Sequence, residues 1–157
     1  MTLKFKNQVS KITVVDTSAA MLGVLREKVK TQQIANIEIV DAALSPGTLP
    51  PQSCDLIISM LTLHHSEDVP ALFHIFHDIL VSGGKVALVD LVREDGDFHP
   101  KEAEYVHDGF EPAALKASLE SAGFKNIEIE TFASITRKTD SGEPKHYPLL
   151  LVSGNKQ

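Results

Sequence analysis

Short apolar segments that alternate with amphipathic helical segments constrain the fold of this chain more than any other feature. Residues 12–15 are a β-branched run that predicts a strand, and Ser18 after them is suited to cap a helix. That helix carries its apolar residues on one stripe: Met21, Leu22, Leu25 and Val29. The alternation continues with predicted strands at 37–40, 54–61, 86–92, 127–130 and 147–152 and predicted helices at 68–80 and from Pro112 to Gly123. The pattern predicts an α/β fold with a mainly parallel sheet and a C-terminal antiparallel hairpin.

The local patterns also predict where the core lies. Residues 54–61 are almost continuously apolar after Asp55, which is typical of a strand covered on both faces and predicts the central strand of the sheet. Residues 93–109 are rich in charge and histidine, so we expect them to lie outside the core. Gly83 and Gly84 lead from a helix into a strand, the reverse of a phosphate-binding loop, and predict a turn.

Composition excludes several classes of protein. A chain of 157 residues that is 43% hydrophobic is large enough for one globular domain with its own core. Its net charge of −6, without a Lys/Arg cluster, argues against nucleic-acid and anionic-membrane partners. No apolar run approaches the roughly 20 residues that span a bilayer. The single cysteine, Cys54, and the absence of an apolar N-terminal stretch predict a reducing, cytoplasmic setting.

Polar residues at the predicted carboxyl ends of the strands are the first candidates for a binding site, because ligands of open α/β sheets bind there. They are Asp16, Asp41, residues 59–65 and Asp90. A carboxylate directly after a strand can accept hydrogen bonds from a ribose diol, which makes Asp16 a candidate for nucleoside binding. The alternative is that Asp16 only caps the following helix, and Asp41 only begins a loop.

The adjacent pair His64 and His65 is the strongest candidate for chemistry. Two imidazoles after a buried strand can orient a substrate or accept a proton near neutral pH. The alternative is that one of them caps the next helix or binds backbone. We expect no metal site here, because no Cys, Asp or Glu follows at ligand spacing and neighbours in an extended chain point apart. Cys54 has no base beside it, which disfavours a nucleophilic role.

Four short segments follow one another along the chain in an order that carries a family resemblance: VVDTSAAML at 14–22, DLIIS at 55–59 with LHH at 63–65, LVSGGKV at 80–86, and AGF at 122–124. In this order and spacing, the chain resembles the class I S-adenosylmethionine-dependent methyltransferases. It is most similar to the small-molecule group that includes enzymes of ubiquinone and menaquinone biosynthesis. The resemblance covers residues 12–124 and extends toward residue 152. It implies a Rossmann-like fold, S-adenosyl-L-methionine as cofactor and a small-molecule acceptor.

The resemblance also implies roles for individual residues. Asp16 would bind the ribose hydroxyls, and His64 and His65 would face the substrate. The other cofactor positions would be Thr17 and Met21 beside the ribose and adenine, Asp41 and Ala42 by the adenine, and Ser59, Met60 and Leu61 along the methionine end. If the acceptor must lose a proton, His65 is the candidate base. The secondary candidates at the substrate mouth are Asp90, Glu94, His99 and His107.

The N-terminal region departs from the family pattern. Family members begin with a strand, a glycine-rich loop and a helix, whereas only eleven residues precede Ile12 and the first glycine is Gly23. We therefore expect residues 1–157 to form a single, incomplete methyltransferase domain that is truncated at its N-terminus. The missing central strand would leave apolar edges on the strands at 12–15 and 54–61, which favours self-association.

Three explanations of this departure stay open. The chain is a shortened form of a methyltransferase, or a natural short form that re-pairs its sheet or borrows a strand, or an inactive scaffold that serves as a binding or interaction module. A nicotinamide-dependent dehydrogenase is disfavoured, because the glycine fingerprint and a Tyr/Lys pair are both missing from the expected positions.

Overall fold

The computed structural model describes residues 2–99, 107–139 and 142–157. The chain divides into two compact units, Met1–Thr48 and Leu49–Gln157, and each is described by itself. Among the described residues, no helix has the length and apolar character needed to cross a membrane. The expectation of a single domain stays a prediction.

The first unit pairs two short strands beside one helix. After a 3-10 turn at Thr2–Lys4, it contains β1 (Ile12–Asp16), α1 (Ala19–Thr31) and β2 (Ile37–Asp41), and β1 and β2 are parallel. The predicted cap is confirmed, because the Ser18 side chain accepts a hydrogen bond from the backbone N–H of Met21 at 3.3 Å. The predicted apolar stripe is partly wrong. Leu22 is 1% exposed, but Met21 is 66% exposed because adjacent helical residues point about 100° apart.

The second unit contains a four-stranded mixed sheet. Its elements are β3 (Cys54–Met60), a 3-10 turn (Leu63–His65), α2 (Val69–Ile79), β4 (Leu80–Leu91), α3 (Pro112–Ser121), β5 (Phe124–Lys138) and β6 (Pro144–Lys156). The strand order is β3-β4-β6-β5. β3 and β4 are parallel, whereas β6 is antiparallel to both β4 and β5. The predicted C-terminal antiparallel hairpin is confirmed, and it is longer than the sequence pattern indicated. Of the other strand pairs, β1–β2 and β3–β4 are parallel, as predicted, whereas β4–β6 is antiparallel.

Two predictions about strands 3 and 4 are wrong. β3 is an edge strand of its sheet, and none of its residues is fully buried; Leu56 is 47% exposed and Met60 is 44% exposed. The expected turn at Gly83 and Gly84 lies inside an irregular part of β4, which begins directly after α2. Within the described ranges, β1 pairs with β2 alone and β3 with β4 alone, so the open strand edges expected from the sequence are present.

A hydrophobic cluster in the second unit includes one residue of the segment 93–109, which the sequence predicts to lie outside the core. Phe98 is 7% exposed and packs with Leu91, Tyr147 and Leu149. The Arg137 guanidinium lies 4.3 Å from the centre of the Phe98 ring and donates a 2.6 Å hydrogen bond to the Phe98 carbonyl. The expectation that all of 93–109 lies outside the core is therefore wrong at Phe98, whose ring is buried, and residues 100–106 of that segment lie outside the described residues.

Candidate functional site

Asp90, near the end of β4, is a buried carboxylate surrounded by hydrogen-bond donors. It is 1% exposed. Its Oδ2 accepts from the backbone N–H groups of Thr62 at 3.1 Å and Leu63 at 2.9 Å, and its Oδ1 accepts from its neighbour Leu91 at 2.8 Å. These bonds compensate for burying the carboxylate. Asp90 therefore fixes the backbone that follows β3 and begins the 3-10 turn.

His64 lies in that turn and is oriented by the same carboxylate. Its ring is 1% exposed, and its Nδ1 lies 2.6 Å from Asp90 Oδ1. Because the carboxylate oxygen accepts, Nδ1 is the donor, and the neutral ring carries its lone pair on Nε2. That Nε2 atom is buried and has no hydrogen-bond partner among the described residues. Such orphaned polar atoms are uncommon in folded proteins and mark sites that need an explanation.

Two more histidine rings lie beside the His64 ring, and we call His64, His65 and His99 the histidine cluster. The ring of His64 lies 4.3 Å from that of His65 and 4.9 Å from that of His99, centre to centre. One ring nitrogen of each residue lies within 4.8 Å of the others. The prediction of no metal site rests partly on an extended chain at the histidine pair. That premise is wrong, because residues 63–65 form a 3-10 turn. Burial, together with the nearby His64 and His65, lowers the pKa of His99.

The segment that carries His99 is held in place by backbone pairing. The N–H of Arg93 donates to the Phe110 carbonyl at 3.0 Å, and the N–H of Glu94 donates to the Asp108 carbonyl at 2.8 Å. The Glu94 carboxylate in turn accepts from three backbone N–H groups of residues 96–98. Burial raises the pKa of Glu94. Glu94 therefore shapes the loop rather than joining the histidine cluster.

His107 donates hydrogen bonds to the backbone of the 3-10 turn. Its backbone N–H donates to the His64 carbonyl at 3.1 Å, and its ring Nε2 donates to the Ser66 carbonyl at 3.0 Å. Of the secondary candidates, the structure thus brings Asp90 and His99 to His64 and His65, whereas His107 holds the backbone around them.

The candidate nucleoside-binding residues of the first unit lie at one strand end. Asp16 and Asp41 are register partners at the carboxyl ends of β1 and β2. Asp16 Oδ1 accepts from the Ser18 N–H at 2.8 Å, so the capping role left open by the sequence is present. No hydrogen bond to Asp16 Oδ2 is found in the described part of the chain. Asp41 accepts from Arg26 at 3.2 Å in a half-exposed ion pair.

The other predicted cofactor positions lie beside these or at the end of β3. Thr17 is exposed in the turn before α1, the exposed Met21 lies in its first turn, and the N–H of Ala42 donates to the Asp16 carbonyl at 3.1 Å. In the second unit, the cofactor positions occupy the last two residues of β3 and the residue after it: Ser59, Met60 and Leu61. Leu61, the first residue after β3, has a φ of 54°, which non-glycine residues seldom adopt.

Sequence reasoning missed Phe98 and the bond that links Asp90 to His64. Asp90 and His64 are 26 residues apart, and no spacing rule joins them. The only signal for Phe98 was an aromatic residue beside a histidine in a polar segment.

Comparison with known proteins gives a consistent result. The family model described as a methyltransferase domain matches residues 1–88. Phosphoethanolamine N-methyltransferase of Triticum aestivum is 30% identical over 120 residues, which are 74% of this chain and 24% of that protein. The chain therefore spans about a quarter of the length of this curated relative.

Solved structures agree on the fold. Phosphoethanolamine N-methyltransferase 2 of Haemonchus contortus, in complex with phosphomonomethylethanolamine and S-adenosylhomocysteine, superposes with a TM-score of 0.75 at 16% identity; the match covers 99% of this chain and 46% of that one. An S-adenosylmethionine-dependent methyltransferase from Mesorhizobium loti gives a TM-score of 0.69 at 24% identity, covering 94% and 81%. The predicted Rossmann-like methyltransferase fold is confirmed.

Proposed function

The chain belongs to the methyltransferase domain family, and on that premise we propose that it catalyses S-adenosylmethionine-dependent methyl transfer to a small-molecule acceptor. The observation that carries the proposal is the position of the Asp16 carboxylate. This carboxylate lies at the carboxyl end of β1, opposite Asp41, and one of its oxygens is left for a ligand by the described residues. A carboxylate in this position suits the two hydroxyls of a ribose.

The residues present fit a nucleoside cofactor. When bound, S-adenosylmethionine supplies a methyl group on a sulfonium. We assign Asp16 to the ribose hydroxyls and assign the remaining cofactor contacts to Thr17, Met21, Asp41 and Ala42 on the nucleoside and to Ser59, Met60 and Leu61 on the methionine end. The chain's own task is to hold the acceptor in line with the methyl group, which is the main source of acceleration in such reactions.

We assign the acceptor side to the histidines. His65 is exposed and close to His64, whose ring is held by Asp90, so an acceptor bound at the end of β3 would meet an imidazole. A nitrogen acceptor would have to lose a proton on methylation. His65 is the proposed recipient of that proton. The names of the plant relatives make a small phosphorylated amine the first acceptor to test.

The test is isothermal titration of S-adenosylmethionine and S-adenosylhomocysteine into the purified chain. We expect binding that Asp16→Ala weakens by roughly 10- to 100-fold, because a hydrogen bond to a charged group contributes about 1.5–3 kcal/mol. Asp16→Asn keeps an oxygen for the Ser18 N–H and separates loss of the ligand contact from loss of the turn.

Glu27→Ala is the matched control, since it removes an exposed carboxylate of α1 that is not among the proposed cofactor positions. It should leave affinity unchanged. Absence of binding at millimolar ligand would refute methyl transfer by this chain alone and favour the second candidate, a binding or interaction module. The open edges of β1 and β3 are the observation that favours that candidate.

The same open edges support a further proposal of self-association, because an unpaired strand edge recruits strands from other chains. We expect light scattering coupled to size exclusion to give a mass above that of one 17.1 kDa chain. A strictly monomeric mass at high concentration would contradict it. A cytoplasmic location is also proposed, supported by the single unpaired cysteine, Cys54.

A further inference from the structure

We propose that the histidine cluster of His64, His65 and His99 binds a first-row divalent transition-metal ion of the zinc type. The inference rests on the geometry of the second unit and does not depend on methyl transfer. Its starting point is His64 Nε2, a buried nitrogen whose lone pair points to no hydrogen-bond donor in the described residues. An imidazole lone pair of this kind can donate to a bound metal cation.

The orientation of His64 matches that of metal-binding histidines. Ligating imidazoles commonly donate their second N–H to a carboxylate, which fixes the tautomer and raises the basicity of the ligating nitrogen. His64 does this through Nδ1, 2.6 Å from Asp90 Oδ1. Asp90 is itself fixed by the backbone N–H groups of Thr62, Leu63 and Leu91. The supporting interactions of a metal site are therefore present around the first ligand.

The remaining ligands are close enough to complete the site. In tetrahedral zinc sites, bonds of about 2.0–2.1 Å place the nitrogens about 3.4 Å apart. The three ring nitrogens lie within 4.8 Å of one another. Closing the longest separation requires a movement of about 1.4 Å relative to that geometry. His65 is exposed and His99 is only half-buried, so rotation of these two side chains toward the fixed His64 can supply it.

The donor set selects the class of ion. Three imidazole nitrogens suit zinc, copper, nickel and iron, whereas calcium and magnesium prefer oxygen ligands. Three protein ligands leave a fourth position for water or a small molecule, as in catalytic zinc sites. Entry would be from the side of the exposed His65. A metal-bound His65 cannot accept a proton, so occupancy of this site and the proposed base role of His65 exclude each other.

Titration of Co²⁺ into the chelator-treated full chain tests the proposal. We expect the visible absorption bands of low-coordinate Co²⁺ with nitrogen ligands, saturating at one ion per chain, and their loss when one equivalent of Zn²⁺ displaces the Co²⁺. Mg²⁺ should not compete. His65→Ala should weaken binding by at least about tenfold, the lower range found when groups that support a metal ligand are removed. His65 is exposed, so this variant should fold normally.

His74→Ala provides the matched control, because His74 is an exposed histidine of α2 outside the cluster. It should leave the affinity for Co²⁺ unchanged. The proposal is overturned if the chain shows no low-coordinate bands at millimolar Co²⁺, or if His74→Ala weakens binding as much as His65→Ala. Because the titration contains no S-adenosylmethionine, failure here leaves the proposed methyl transfer unaffected, and failure to bind that cofactor leaves the metal site unaffected.

Discussion

Asp90→Ala is expected to lower the free energy of unfolding by about 3–5 kcal/mol, because several buried donors lose their acceptor at about 1–3 kcal/mol each. The substitution leaves four donors without their acceptor: the backbone N–H groups of Thr62, Leu63 and Leu91, and Nδ1–H of His64. All of them surround a carboxylate that is 1% exposed, so water cannot readily replace it. Denaturation in urea, followed by circular dichroism, measures the change.

Two further variants make this result interpretable. Asp90→Asn keeps one acceptor oxygen and should lower the free energy of unfolding by less, about 1–3 kcal/mol. Asp78→Ala removes an exposed carboxylate of α2 and should change stability by no more than about 0.5 kcal/mol. If Asp90→Ala cost less than about 1 kcal/mol, the described network would not be the one that holds the turn after β3.

Gly109→Ala is expected to be almost as damaging, with a loss of about 2–5 kcal/mol. Gly109 has a φ of +79°, and a Cβ built there would lie 2.4 Å from the Val92 carbonyl oxygen and 2.8 Å from its carbon. Both atoms belong to the backbone, so relief requires the Val92 backbone, just after β4, to separate from the backbone at Gly109 and Phe110. That separation would break the Phe110 N–H bond to the Leu91 carbonyl and loosen the segment that carries His99.

Gly83→Ala separates the cost of a positive φ from the cost of a steric clash with the backbone. Gly83 has nearly the same φ, +80°, but nothing lies within 4 Å of its built Cβ. Gly83→Ala should therefore lower the free energy of unfolding by only about 1–2 kcal/mol, the cost of the positive φ for a residue with a Cβ. Equal losses for Gly83→Ala and Gly109→Ala, measured by the same urea denaturation, would show that the close approach of Val92 has no energetic consequence.

The parts of the site that follow from local pattern could be predicted from the sequence. Strand ends are marked by a change from apolar to polar residues, which is why Asp16, Asp41, Asp90 and the pair at 64–65 were all singled out. The Ser18 cap follows from a serine placed directly before the helical pattern, and the structure confirms it. The roles of individual residues toward a cofactor stay predictions.

Other features depend on contacts between distant residues, and these could not be predicted. Whether β3 lies inside or at the edge of a sheet depends on which strands pair with it, and not on its own apolar run. Phe98 is buried because Tyr147, almost fifty residues later, supplies the ring against which it packs, at 5.1 Å between centres. The meeting of His99 with His64 depends on the same anchoring and has no signature in spacing.

The position of β6 has a consequence for the order in which this protein can assemble. β6 lies between β4 and β5 in the sheet, although it follows both along the chain. While the polypeptide is being synthesised, β4 and β5 leave the ribosome before the strand that joins them, and their facing edges expose unpaired backbone groups until it arrives. β1 and β2, in contrast, can pair with each other as soon as residue 41 has emerged. The nascent chain thus passes through a stage at which β1 and β2 are paired with each other while β4 and β5 still lack the strand between them, and a chaperone would be needed most at that stage.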